Sequence, residues 1–397
     1  TVFSMNQITF HYLIKQPVVL LQVFGFFPVE GLTNPDPNHL KFKWLSWRVF
    51  VNLISLAGST FHLICFILDM KFVNMVELNA LEFHLEGVLL NLIFLYMAKT
   101  WTVFVREWSL VEKSMKIYTG PTNSKIKICI AMVSIMGVAL LEHAVVTSQI
   151  AWTSIKNNSG SFFNASREYF VDHEFVEVFH YVPYSIWTGI FFKLLIIQKT
   201  FIWSFIDVFI STISICFHYK MVQISRKVTR LSANEEQNIM VWRSTREDYT
   251  KLAKLCQIVN TKLRWIIILS FFNNIYHILS QLFNSLKPND DVVHKIYFCT
   301  SFTLLILRMT TVCVYAGSIC DEQDKLITVL TTAPSGVYNV EVERFIIHLS
   351  TFEMALSGSN FFKITKGLLL KITSAIVTYE LVLIQFNQKE FQNAGLL

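Results

Sequence analysis

The stretch SKIKICIAMVSIMGVALLEHAVVTSQIAWTSIKNNSGSFFNAS, from Ser124 to Ser166, decides the fold. Lys125 and Lys127 lead into an apolar run from Ile126 to Ile150, and Asn157-Asn158-Ser159 and Asn164-Ala165-Ser166 follow it. A helix needs roughly 20 mostly apolar residues to cross the hydrocarbon core of a bilayer, and this run has that length. Lys and Arg in short loops stay on the cytoplasmic side, whereas N-x-[ST] is a glycosylation acceptor on exported surfaces. Both signals orient the run the same way, with its basic end inside.

The same reading gives spans near 46–68, 83–105, 126–150, 181–217, 264–286, 293–317 and 366–388. The fourth exceeds what a bilayer requires. Its stretch from Tyr181 to Tyr219 carries Lys193, Lys199 and Asp207, so a helix that tilts or projects beyond the membrane is expected there. Lys41, Lys43 and Arg48 precede span one; Arg106, Lys113, Lys116, Lys125 and Lys127 join two to three; Arg226, Lys227, Arg230, Arg243, Arg246, Lys251, Lys254 and Lys262 join four to five. The segment from Ala151 to His180 carries Glu168, Asp172, Glu174 and Glu177. The expected fold is an all-α membrane protein of seven transmembrane helices with a cytoplasmic N-terminus and an extracellular C-terminus, opposite to a G-protein-coupled receptor. Residues 1–45 form a cytoplasmic or interfacial segment, 46–317 a six-helix domain, 318–365 a cytoplasmic segment, and 366–397 the last helix and an extracellular tail.

Composition agrees. Hydrophobic residues make up 53% of the 397, Phe alone accounts for 35, and 16% are charged, too few to clothe a soluble protein of this size. The net charge of +6 comes from residues between apolar spans and forms no basic, aromatic-interleaved surface, so nucleic acid is not an expected partner. Cys65, Cys129, Cys216, Cys256, Cys299, Cys313 and Cys320 lie in or near the spans without a CxxC pair, which supports neither a metal site nor a disulfide framework. HExxH and GxSxG are absent, so neither an enzyme nor a cofactor is expected. The segment from Met5 to Phe27 imitates a signal peptide, but no small-residue cleavage site follows; it reads as an interfacial helix, interrupted by Pro17 and Gln22.

Near the C-terminus, Thr378-Tyr379, the five residues Glu380-Leu381-Val382-Leu383-Ile384, and Gln385-Phe386 resemble the TY-x5-QF signature of insect gustatory receptors. The form TYELVLIQF is similar to their sugar-receptor subfamily. The likeness continues through Arg344-Phe345, Ala355-Leu356-Ser357-Gly358 and Phe361-Phe362, and at the other end through Gln22-Val23-Phe24-Gly25-Phe26-Phe27-Pro28-Val29. It implies a ligand-gated, non-selective cation channel, tetrameric, with the last helix of each subunit lining a central pore. Sugars would be the agonists, a disaccharide favoured, held in an outward-facing pocket among the first six spans. Ser318 to Thr365 would be the cytoplasmic anchor. Monovalent cations would permeate, with calcium a further candidate; membrane lipid surrounds the subunits, which assemble with themselves or with related receptor subunits.

The residues add their own case. Glu380 lies at membrane depth, where an ionisable group marks a functional path or is buried and hydrogen-bonded against a neighbouring helix. Thr378, Leu381 and Gln385 share one helical face, and Tyr379, Leu383 and Phe386 another. A ring of Gln385 amides would replace part of an ion's water shell without fixed charge, while Leu381 or Phe386 could close a pore by dewetting. Tyr379 and Glu380 are candidates for gating coupling. Packing remains the other reading of Phe386.

Sugar recognition needs hydrogen-bond partners for many hydroxyls and an aromatic face for the ring. Glu82 and Glu86 lie one turn apart in span two, near His84 and Asn91. Glu142 and His143 belong to span three, Tyr184 and Trp187 to span four, and Asn273, Asn274, Tyr276, His277 and Gln281 to span five. The candidate ligand set is Glu82, Glu86, His143, Trp187, Asn274, His277 and Gln281, with Asn157 and Asn164 as glycosylation sites. Tyr184 and Trp187 also fit interfacial anchors, and the span-five amides also fit bonds between helices. The alternatives are a secondary transporter, with Glu142, Asp207 and Glu380 carrying coupled ions, or a metabotropic seven-helix receptor for a small polar ligand. The first lacks an inverted repeat, and the charge distribution opposes the second.

Overall fold

The computed structural model describes residues 9–71, 74–115, 123–157, 161–285 and 292–394; within these, the side chains at 146, 149, 292–297, 383, 384 and 386–394 lie outside the description. The helices are α1 (Phe10–Val23), α2 (Trp47–Asp69), α3 (Met75–Ser114), α4 (Ser124–Asn157), α5 (Phe162–Arg167), α6 (Val176–Phe179), α7 (Ile186–Ala233), α8 (Ile239–Ser285), α9 (Val292–Thr331), α10 (Val340–Thr351) and α11 (Lys366–Ala394). Among the described residues, α2, α3, α4, α7, α8 and α9 are long and apolar enough to cross a membrane. With 29 residues α11 has the length but is not one of these six.

The helix α7 is the axis of the bundle. In its most apolar stretch 89% of residues are buried, against 33% in α2 and 28% in α4, so α2 and α4 offer apolar surface to lipid. Packed against α7 are α9, α4, α8, α1, α3 and α2. At about 1.5 Å per residue its 48 residues extend about 70 Å, more than twice the hydrocarbon thickness of about 30 Å. It therefore projects beyond the bilayer, as its charged residues suggest. Gly58 allows α2 to approach closely, because a Cβ there would meet Leu195 and Phe191 of α7 at 2.8 Å.

The helix α1 is packed into the bundle. Its first turn is fixed by Thr9, whose Oγ1 accepts from the Tyr12 amide, and by Glu112, which accepts from the Phe10 amide at 2.9 Å. Phe10 stacks on Trp108 with ring centroids 4.0 Å apart, and Leu13, Ile14, Val18 and Leu21 are buried along the same side. Of the expected interfacial helix, Met5 to Ile8 lie outside the described residues. The turn Gln22–Val29 that follows needs positive φ at Gly25 (78°) and Phe27 (56°). Side chains pin it from four directions: Gln22 donates to the Phe27 and Val29 carbonyls, Arg48 to Val29, Asn52 to Gly25 and Gln198 to Phe24.

Beyond α9, the chain turns back through α10 into a hairpin of β1 (Ser357–Gly358) and β2 (Phe362–Lys363), then enters α11. Ser359 and Asn360 both have positive φ, 49° and 66°, at the centre of a tight turn closed by the Phe361 amide on the Gly358 carbonyl, within a loop of residues 359–361. Two amides clamp this return. Gln323 of α9 donates to the Leu349 and Phe352 carbonyls and accepts from the Met354 amide at 2.6 Å. Asn260 of α8 donates to the Ala355 carbonyl and accepts from the Ser357 amide at 3.0 Å. Arg246 donates to Glu341 at 2.8 Å, and that bond holds the Glu341 carboxyl below its ordinary range.

At mid-bundle Asp207 of α7 meets Arg308 of α9. Both are fully buried, and Arg308 Nε donates to Asp207 Oδ2 at 2.6 Å. Arg308 also donates from Nη2 to the Trp203 carbonyl at 2.8 Å. Ser270 and Asn274 of α8 donate to the Asp207 carboxylate. Three helices are thus joined through one ion pair.

Two outcomes test this architecture. Gln323→Leu leaves two carbonyls and an amide unmatched, each costing about 1–3 kcal/mol, so the purified protein should unfold at a distinctly lower temperature. Asp207→Asn strands a buried guanidinium, at a cost of about 3–5 kcal/mol; surface expression should fall sharply and recover in part when Arg308→Met is added.

Candidate ligand site

Helices α3 and α8 run antiparallel and are zipped by side chains at one end of the bundle. Ser280 donates to Asn79 Oδ1 at 2.9 Å, and one α-helical turn further His277 Nε2 donates to Glu82 Oε2 at 2.9 Å. The carboxylate can only accept, so it fixes the protonated nitrogen of His277. The same register brings Glu86 level with Asn273, and here the pairing stops. Glu86 Oε1, both side-chain polar atoms of Asn273, and Asn274 Oδ1 are buried with no hydrogen-bond partner among the described residues.

The neighbouring helices add further unmatched groups: Trp203 Nε1 of α7, Arg308 Nη1 of α9 and Gln281 Oε1 of α8. Folded proteins satisfy more than nine in ten buried polar groups of this kind. Their number between α3, α7, α8 and α9 makes this the candidate place for a polar ligand or water to complete the bonding. Donors (indole, guanidinium and amide) and acceptors (carboxylate and amide carbonyls) are both present. Trp203 supplies the aromatic element: the Arg308 guanidinium lies 4.6 Å from its ring centroid and the His277 ring 5.1 Å away in a T-shaped contact.

Of the residues expected from sequence, Glu82, Glu86, Asn274 and His277 come together here. Gln281 lies a turn beyond His277 and donates to Ser301 of α9 at 2.7 Å. His143 of α4 lies elsewhere, in the electrostatic neighbourhood of Lys193 and Glu174; that ion pair, 2.9 Å long, also receives the Tyr169 hydroxyl. Burial and the adjacent Glu174 charge push the Tyr169 phenol up. Trp187 sits in the first turn of α7, 76% exposed and outside the cluster. Sequence reasoning missed Trp203 and Arg308 and weighed Asp207 as a charge within span four and as an ion carrier in the transporter alternative. Arg308 carried a usable signal, an ionisable residue in the middle of an apolar span.

One cavity lies apart from this cluster. A groove of about 770 Å³ runs between the turn after α1, the start of α2 and α7, lined by Phe24, Trp47, Val51, Ile54, Leu194 and Leu195 among others. That lining is mostly hydrocarbon, so it suits a lipid chain, and the hydrogen-bonding cluster is the better place for a polar ligand.

On α11, Leu381 and Gln385 are exposed, Tyr379 is partly exposed and Glu380 half-buried; the Phe386 side chain lies outside the described ones. Asn157 and Asn164 are both exposed, and Asn157 donates to Glu168 at 2.8 Å.

Similarities to known proteins fit these features. The trehalose receptor family model matches residues 3–394. The chain is 30% identical to "Gustatory receptor for sugar taste 64f" of Drosophila melanogaster, with 96% of this chain and 81% of that protein covered. It is 27% identical to "Gustatory receptor 5a for trehalose" of the same fly, covering 96% and 86%. In fold it is similar to the olfactory receptor OR5 of Machilis hrabei, solved with eugenol, with a TM-score of 0.65, 12% identity, and 94% and 97% of the two chains covered. The family match over nearly the whole chain, together with six apolar spans in the olfactory-receptor arrangement, shows that this is a multi-pass plasma-membrane receptor belonging to the sugar-receptor subfamily of the insect gustatory receptors.

Proposed function

We propose that the chain is one subunit of a sugar-gated, non-selective cation channel, and that the cluster around Trp203 is its sugar pocket. The observation that carries this reading is the set of unmatched buried donors and acceptors between α3, α7, α8 and α9 beside an indole. A sugar offers hydroxyls that both donate and accept, and an apolar ring face for Trp203. Glu86, Asn273, Asn274 and Arg308 would bind hydroxyls, while His277 and Glu82 hold the rim. A disaccharide fits the spread of groups, and trehalose, named for one relative, is the first ligand to test. Basic loops and the acceptors Asn157 and Asn164 support a cytoplasmic N-terminus, with the pocket opening outward.

In this reading α11 is a seventh span and four copies surround one pore. Leu370, Val377, Leu381 and Val382 of α11 are exposed in the single chain, and apolar helix surface of that kind suits neighbouring subunits and lipid. Gln385 would form an amide ring for monovalent cations and calcium, and Leu381 or Phe386 a hydrophobic gate. Sugar must bind the open arrangement more tightly than the closed one. The motion would pass from α8 and α9 to α11, which packs on both, with Tyr379 and Glu380 at the moving contact.

Expressed in a heterologous cell, the wild-type chain should give unitary currents in response to a sugar panel, and their absence with normal surface expression argues against a homomeric channel. Asn274→Ala removes the amide oxygen offered to a sugar hydroxyl and His277→Ala the partner that positions Glu82, each costing about 0.5–1.5 kcal/mol of binding. The half-maximal sugar concentration should therefore rise about two- to tenfold, measured per surface-expressed receptor; unaltered dose-response curves for both would remove the pocket assignment. Gln385→Glu should convert the amide ring to carboxylates and move the reversal potential in mixed solutions toward that of calcium.

A further inference from the structure

A second polar cluster, on the face of α3 turned away from the sugar cluster, joins α2, α3, α6 and α7. His62 Nε2 of α2 donates to Glu177 Oε1 of α6 at 2.7 Å, and the His62 and His84 rings lie 4.2 Å apart. His84 of α3 receives Lys199 of α7, whose Nζ donates to Nδ1 at 2.8 Å. One donor atom from each of His62, His84 and Glu177 lies within 4.8 Å of the others. His62 is 1% exposed, and its Nδ1 has no hydrogen-bond partner among the described residues.

These facts determine where the lone pairs are. Because Nε2 of His62 donates its proton to Glu177, its Nδ1 carries an unprotonated, unmatched lone pair in a buried place. Because Lys199 donates to His84, the Nδ1 of that ring is likewise a lone-pair donor. Lys199 reaches this point only because Gly87 has no side chain: a Cβ there would stand 2.7 Å from Lys199 Cγ. An ammonium group thus already occupies a position favourable to a cation, beside two imidazoles and a carboxylate.

We propose that His62, His84 and Glu177 form a zinc-binding site, with Lys199 as a built-in competitor for it. Two imidazoles and one carboxylate are a recurrent zinc ligand set that leaves the fourth position to water, and neutral imidazole with carboxylate suits this borderline ion. Zinc entry displaces the Lys199 ammonium from His84 Nδ1, and the His62 ring changes tautomer, its proton passing from Nε2 to the unmatched Nδ1, so that Nε2 and Glu177 Oε1 both face the ion. The bound ion then ties α2, α3, α6 and α7 together at one end of the bundle. The site stands independently of the sugar pocket, since it shares none of that pocket's proposed contact residues.

The test is equilibrium dialysis of the purified full chain against zinc chloride alone, with metal content measured and thermal unfolding followed in parallel. The wild type should retain one zinc ion per chain and unfold at a higher temperature with zinc than with chelator. His62→Ala and the near-isosteric Glu177→Gln should each weaken binding about tenfold or more and lose the thermal shift. Lys199→Met should bind more tightly than wild type. Retention of the zinc equivalent in both ligand variants, or its absence from the wild type whatever Lys199→Met does, overturns the proposal.

Discussion

The ion pair between Asp207 and Arg308 constrains everything around it. Taking two charges into a membrane bundle costs several kcal/mol per ion even after relaxation, and only close geometry with further hydrogen bonds recovers that cost. The protein supplies them from every side: Ser270 and Asn274 donate to the carboxylate, and the Trp203 carbonyl and ring face the guanidinium. Because these partners sit on α7, α8 and α9, the relative heights and rotations of three helices are fixed by one pair. An apolar contact in the same place would tolerate sliding, since lipid is as apolar as the side chains.

That fixed centre leaves a polar layer incomplete. Arg308 uses Nε and Nη2 on the pair and on Trp203, and Nη1 has no partner among the described residues. Asn274 gives its amide protons to Asp207 and keeps Oδ1 unmatched. The residues that hold the bundle together therefore also present the unmatched atoms, which means that a ligand bonding to them acts on the joint itself. In the proposed mechanism this is why binding can alter helix packing: a sugar that competes for Asn274 or Arg308 changes the strength of the α7–α8–α9 contact directly, without a longer relay.

Much of the bundle was legible in the linear chain. Apolar length located the helices that cross the membrane, and the ELVLIQF segment with its flanking Thr378-Tyr379 carried the family. The common face of Asn274 and His277 followed from helical spacing. What spacing could not supply was the partner across a helix boundary. Glu82 finds His277, and His62 finds Glu177 more than a hundred positions away, through an antiparallel register and a loop path that no local pattern encodes. Two tryptophans illustrate the same limit: Trp187 and Trp203 lie on one helix, yet Trp187 is exposed and Trp203 half-buried against Arg308, since the first turn of α7 packs its Gly189 side on Phe170 and leaves Trp187 on the other. For α1, a short apolar stretch with a proline fits a membrane surface as well as an interior. Its burial depends on Trp108 and Glu112, which arrive from α3.

The return from α9 to α11 shows how rigidity and freedom are distributed. Gln323 and Asn260 satisfy the backbone of the turn so fully that α10 and the hairpin behave as extensions of α8 and α9. By contrast, α11 buries Ile372 near its start and then exposes Leu381 and Gln385 further along. A helix held firmly at one end and free at the other pivots about its fixed end when its support moves. In the proposed channel the pivot is the Thr365–Lys366 junction, set against α9 where a Cβ on Gly317 would stand 2.6 Å from the Lys366 amide nitrogen. A rotation of α9 of a few degrees, too small to break the Asp207–Arg308 pair, is then magnified along the length of α11 and is largest at Gln385, where the gate is placed.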